Sequence, residues 1–121
     1  STSLPRKMSR VRVSLPAPVY NNSFLWYNTS MVSDKEHEIM SIFQEECAEN
    51  VQAVSKIFRF DFDGRHPDKS YNNREHLEEE VGDLLAMIDL MLENNIVAWA
   101  NVNKARRKKF EKLQQWSNVM N

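Results

Sequence analysis

SDKEHEIMSIFQEECAENVQAVSKIFRF, residues 33–60, decides the fold class. Its first four residues, Ser33-Asp34-Lys35-Glu36, have the form of a capping box. In that motif a serine hydroxyl and the glutamate three residues on satisfy amide groups that a first helical turn leaves free. Behind it Ile39, Ile42, Ala53 and Ile57 recur at helical spacing, with a second apolar stripe of Phe43, Cys47, Val51, Val54 and Phe58. The spacing predicts a long helix that begins at Ser33 and runs to about Phe60. It breaks in Asp61-Phe62-Asp63-Gly64-Arg65-His66-Pro67, turn formers that open a loop reaching about Asn72.

Downstream, Asn73 reads as the cap of a second helix reaching Asn94, with Leu77, Val81, Leu84, Leu85, Ile88, Met91 and Leu92 on a broad apolar face. Asn94-Asn95 marks a turn, and a third helix follows from about Val97 to Trp116. Its register, Trp99, Val102, Ala105, Phe110, Leu113 and Trp116, is weaker. No internal repeat is visible. The class is all-α, a helical bundle with an irregular N-terminal extension. Two long helices and a third make a thin core for helices that are apolar on more than one stripe. Pairing two chains into a larger bundle would cover those surfaces, so a dimer at least is expected.

Residues 1–33 behave differently: short β-prone pieces, Val11 to Leu15 and Ser23 to Tyr27, alternate with prolines and asparagines. They read as an extension, a remnant or a leader, or else as an arm that packs on a neighbouring subunit through Phe24, Trp26 and Tyr27. The expected division is an extension over 1–33, a domain over 34–117 and a short tail over 118–121.

Composition narrows the function classes. The chain has 121 residues, enough for one core, with 41% apolar and 27% charged residues, two glycines and four prolines. That balance excludes disordered, collagen-like and turn-rich all-β classes. Its single cysteine, Cys47, cannot form an internal disulfide. A net charge of −1 conceals an asymmetry, +4 over residues 1–33 and −5 over the remainder. So acidic a body argues against binding nucleic acid over the whole face. The uncharged run Val13 to Ser33 is interrupted by Pro16, Pro18, Asn21, Asn22 and Asn28, which spoils it as a membrane span. No compact apolar block follows the early basic residues, so a cytoplasmic location is expected.

Acidic residues interrupt the apolar stripes. The run Ile39, Ile42, Glu46, Glu49, Ala53 advances by 3, 4, 3 and 4, and Leu77, Glu80, Leu84, Met87 by 3, 4 and 3. Each helix thus presents an i, i+3 acidic pair, Glu46/Glu49 and Glu80/Asp83, directed partly toward the core. Close carboxylates without partners repel and lose solvation, so they take up protons or a cation. Antiparallel packing would bring the pairs together as an all-oxygen cage for Mg²⁺ or Mn²⁺. The other reading is ordinary solvated acids on charged helices. Gly82 lies between Glu80 and Asp83, where a glycine costs roughly 1 kcal/mol against alanine. Either a neighbouring helix or ligand excludes a side chain there, or the glycine is a tolerated accident.

Di-iron bundles use Glu-x-x-His pairs. The residues three before His37, His66 and His76 are Asp34, Asp63 and Asn73, so that chemistry is disfavoured and the histidines are expected to face solvent. On the third helix Lys104, Arg106, Arg107, Lys108, Lys109 and Lys112 fall within nine residues. This run is a solvated face, an RNA-binding surface or, beside a metal cage, a clamp for a polyphosphate.

Glu45-Glu46-x-x-Glu49 followed by Glu80-x-x-Asp83 resembles the EExxE…ExxD signature of MazG-like nucleoside triphosphate pyrophosphohydrolases. The likeness covers about residues 34–117 and is to the small forms of bacterial viruses, in EECAENVQAVSKIFRF, REHLEEEVGDL and KKFEKLQQW. The resemblance implies hydrolysis of a nucleoside triphosphate to the monophosphate and pyrophosphate, with dGTP as first substrate. It implies Mg²⁺ as cofactor, replaceable by Mn²⁺, and a dimer or tetramer. It makes Glu46, Glu49, Glu80 and Asp83 metal ligands and Glu45 an accessory acid that orients water or holds a further ion. Lys104 and Lys108, with Arg107 or Lys109 as alternatives, would bind phosphate. Ile39, Ile42 and Phe43, one to two turns before Glu46, would reach the base or belong to the core. Thirty residues separate Glu49 from Glu80, more than is usual in the family, so loop 61–72 is an elaboration near the site. The alternative is a non-catalytic helical protein that binds RNA or a partner through its basic third helix.

Overall fold

A computed structural model describes residues 31–121. The expected strand-prone pieces and subunit arm lie in 1–30, outside the described residues. Three helices follow: α1 (Asp34–Phe60), α2 (Asn73–Glu93) and α3 (Trp99–Trp116). Ser33 caps α1 as expected, accepting from the Glu36 amide at 3.1 Å while the Glu36 carboxylate accepts from the Ser33 amide at 3.0 Å. The cap of α2 is Asn72, one residue earlier than expected. Glu75 lies three residues beyond Asn72, and the two exchange bonds of 2.8 Å in a second capping box. Asn73 is thereby freed to donate through Nδ2 to the Asp61 carbonyl at 3.0 Å. The third helix begins at Trp99 rather than Val97, because the amides of Ile96 and Val97 both turn back onto the Met91 carbonyl.

Extensive packing joins α1 to α2 as an antiparallel hairpin, and α3 has no comparable contact with either among the described residues. Ile39 near the start of α1 meets Met87 and Met91 toward the end of α2, with Phe43, Ile88, Ile96 and Val97 against them. Ala53 and Ile57 are also buried. The second stripe of α1 is covered only at its start, where Phe43 and Cys47 are half-buried: Val51, Val54 and Phe58 are exposed, Phe58 at 84%. On α2, Val81 and Leu85 are exposed too, and α3 buries no residue. Within one chain the hairpin covers only one face of each helix, which leaves a wide apolar surface. No helix of the described residues is long and apolar enough to cross a membrane.

Candidate metal centre

The antiparallel register sets the middle of α1 beside the first half of α2, where the acidic residues stand. Carboxylate oxygens of Glu46 from α1 and of Glu80 and Asp83 from α2 lie within 4.8 Å of one another. Glu80 is 9% exposed and Glu46 half-buried, whereas Asp83 is exposed at the rim. Asn50 fixes this register: its Nδ2 donates to the Glu46 carbonyl at 2.8 Å and, across the helix pair, to the Glu80 carbonyl at 2.9 Å. The backbones that carry the two most enclosed carboxylates are therefore joined by one side chain.

Electrostatics follows from that proximity. Burial pushes the Glu46 carboxyl above its ordinary value, and the charges of Asp83, Glu80, Glu49 and Glu45 push it further. Burial likewise raises Glu80, with Glu49, Asp83 and Glu79 adding to it. Glu49 stands half-buried beside the trio, outside the 4.8 Å group yet felt by both raised carboxylates. Glu45 is half-buried next to Glu46. A divalent cation is the economical remedy for such crowding, and an oxygen-only donor set matches a hard one.

His76 corrects an expectation. Rather than facing solvent it is half-buried, stacked on Tyr71 with ring centroids 5.6 Å apart and an 18° interplanar angle. Its Nε2 lies 3.8 Å from Glu80 Oε2, its buried Nδ1 has no hydrogen-bond partner among the described residues, and with Glu79 and Glu80 it forms a second possible ligand group. The search by Glu three residues before each histidine missed it. The usable signal was Glu80 four residues after His76, on the same helical face. Asn50 was also missed, although it follows Glu46 by four residues and precedes Ala53 by three, a polar residue in the core-facing row.

Gly82 is a second correction. A Cβ built there meets nothing within 4 Å, so no neighbouring helix among the described residues excludes a side chain. Of the base candidates, Ile39 is part of the buried core, Phe43 packs against that core, and Ile42 is exposed. Lys104, Arg107 and Lys108 share one open groove on α3 with Asn103 and Glu111. Among the described residues no hydrogen bond or ion pair links them to α1 or α2, and α3 makes no extensive packing contact with either helix.

Neither a curated protein nor a solved structure matches the chain. The family model of the MazG nucleotide pyrophosphohydrolase domain matches residues 34–116. That span contains all three helices, both acidic pairs and Asn50. By this match, over the very helices whose carboxylates converge, the chain belongs to the MazG nucleotide pyrophosphohydrolase family.

Proposed function

We propose that the chain hydrolyses nucleoside triphosphates to the monophosphate and pyrophosphate in a Mg²⁺-dependent reaction that Mn²⁺ also supports, with dGTP the preferred substrate. The observation that carries this reading is the convergence of Glu46, Glu80 and Asp83 from two helices within 4.8 Å, inside a matched pyrophosphohydrolase domain. Glu46, Glu49, Glu80 and Asp83 hold the ion. When bound, it supplies charge neutralisation at the phosphate oxygens. Asn50 keeps the two carboxylate-bearing backbones in register. Glu45 orients a water for in-line attack at the α-phosphorus and takes its proton, while the bond to the bridging oxygen breaks and pyrophosphate leaves. Lys104, Lys108 and Arg107 neutralise that leaving group, supplied by α3 of the same chain or of a second copy. The exposed apolar residues Val51, Phe58, Leu85 and Trp116 support assembly as a dimer or tetramer.

The test is incubation with Mg²⁺ and each nucleoside triphosphate in turn, with pyrophosphate and orthophosphate measured separately. Pyrophosphate release abolished by a chelator supports the reading; orthophosphate release would place the attack on another phosphorus. Glu46→Gln and Asp83→Asn should each lower turnover drastically while circular dichroism stays helical, and wild-type turnover in either would refute the ligand set. Ribonucleotides outperforming dGTP would refute the substrate preference. The exposed cationic groove of α3 favours one second reading, RNA binding without catalysis. No turnover together with strongly salt-dependent RNA affinity would establish it.

A further inference from the structure

Beyond the carboxylates, loop 61–72 folds back over the start of α2 and encloses a pocket of about 450 Å³. Backbone bonds close it: the Asn73 amide donates to the Gly64 carbonyl and the Arg74 amide to the Phe62 carbonyl, each at 2.9 Å. Gly64 is required at this turn, since a Cβ there would collide with the Phe60 carbonyl oxygen. The wall is therefore a fixed piece of backbone and not a chance arrangement of side chains.

Its lining carries four cations, Lys56, Arg59, Arg65 and Lys69, and no carboxylate. That is notable because residues 34–121 have a net charge of −5. Among the described residues none of the four makes an ion pair. Two lie instead against ring faces, Arg59 Cζ 5.4 Å from the Phe60 centroid and Lys69 Nζ 5.9 Å from the Tyr71 centroid. Tyr71 stacks on His76, which also lines the pocket and lies 3.8 Å from Glu80. Pocket and carboxylate cluster thus share His76 as a wall.

The four cations are solvent-exposed and converge on one concavity, where together they attract an anion, and a base entering it would take the place of the Arg59 and Lys69 heads on the Phe60 and Tyr71 rings as these turn to a phosphate. The volume lies within the usual range of small-molecule sites, about 300–1,000 Å³. We propose that this pocket binds a nucleoside phosphate, its base against the Tyr71 and Phe60 rings and its phosphate on Arg59 and Lys69. Only the link to turnover rests on the function proposed above. The ligand is the nucleoside end of the substrate or a second nucleotide, and the same chemistry serves both.

The experiment titrates the whole chain in EDTA with dGMP, following heat of binding, and repeats it with deoxyguanosine and with inorganic phosphate. Wild type binds dGMP more tightly than either fragment. A double variant, Arg59→Gln with Lys69→Gln, weakens dGMP by about tenfold or more, the fold-change that losing charged hydrogen bonds corresponds to. Equal affinity in wild type and variant, with unchanged circular dichroism, overturns the proposal. So does dGMP binding no tighter than phosphate. With Mg²⁺ and dGTP, a KM raised in the double variant at unchanged kcat identifies the ligand as the substrate's own nucleoside. An unchanged KM alongside lost dGMP binding identifies a second nucleotide. Should wild type release no pyrophosphate yet bind dGMP in a manner the double variant loses, the enzymatic reading falls and the pocket stands.

Discussion

Replacing Glu80 by glutamine should abolish turnover and yet stabilise the metal-free protein. Glu80 enters two close like-charge pairs, with Glu46 and with Asp83, whose oxygens lie within 4.8 Å. Coulomb's law at that separation gives about 0.9 kcal/mol per pair in a water-like medium and about 3.5 kcal/mol at an effective dielectric constant of 20. Asp83 is exposed and Glu46 half-buried, so the low end applies, about 2 kcal/mol for both pairs together. Little is lost in exchange, because His76 at 3.8 Å is too far for a hydrogen bond. For a domain of this size about 2 kcal/mol corresponds to a rise in Tm of about 8 °C or more.

The pH dependence gives an internal control. Glu46 and Glu80 are both raised in the fold, so their stabilising contribution is complete below the ordinary carboxylate value and disappears as pH rises through their raised values. In EDTA the wild type should therefore lose Tm as pH rises above the ordinary carboxylate value and through the raised ones, and Glu80→Gln should lose less. The gap between them should be widest at the alkaline end. Adding Mg²⁺ should then raise the wild type, by about 2.7 kcal/mol at a hundredfold excess over its dissociation constant, and leave the variant nearly unmoved. Thermal melts by circular dichroism at one fixed protein concentration decide it. A Glu80→Gln variant melting at or below wild type in EDTA at about pH 8 would refute the argument that crowded charge is what the cation relieves.

Asn50→Ala removes the cross-helix bond to Glu80 and should cost about 1–2 kcal/mol in urea unfolding, with a several-fold rise in the Mg²⁺ needed for half-maximal rate. Unchanged stability would show that the register is set elsewhere. Gly64→Ala forces a Cβ onto the Phe60 carbonyl and should destabilise by about 1–3 kcal/mol, with pocket affinity for dGMP falling and overall helicity kept. Phe58→Glu places a charge on the uncovered stripe of α1 and should shift the sedimentation coefficient toward that of a single chain; an unchanged value would exclude this stripe from the subunit contact.

Local signals were legible where one short-range rule governs them. The Ser33–Glu36 box placed the start of α1, and the 3, 4 spacing put Glu46 and Glu80 in the helix interface where the structure has them. Two consecutive asparagines defeated the same rule at α2, because only the position of Glu75 distinguishes Asn72 from Asn73 as the cap. What the sequence withheld is long-range. The pocket draws its lining from both ends of a loop that folds back, so its cations, spread from residue 56 to 69, form no visible cluster along the chain. The placement of α3 was equally illegible. Its apolar register is weak, and Trp99 and Trp116, the bulkiest residues in it, remain exposed in one chain.

That loosely held third helix has a kinetic implication. Both carboxylate-bearing helices are closed at their N-termini by reciprocal caps and tied together by Asn50, whereas α3 starts at an alanine with no side-chain cap and buries nothing. Segments with so few buried contacts open at the smallest free-energy expense. Under the proposed reaction, with α3 supplying its cations to the leaving group, that helix is the element that would move as ligands enter and depart, while the capped and tied acidic cradle would keep its geometry from one cycle to the next.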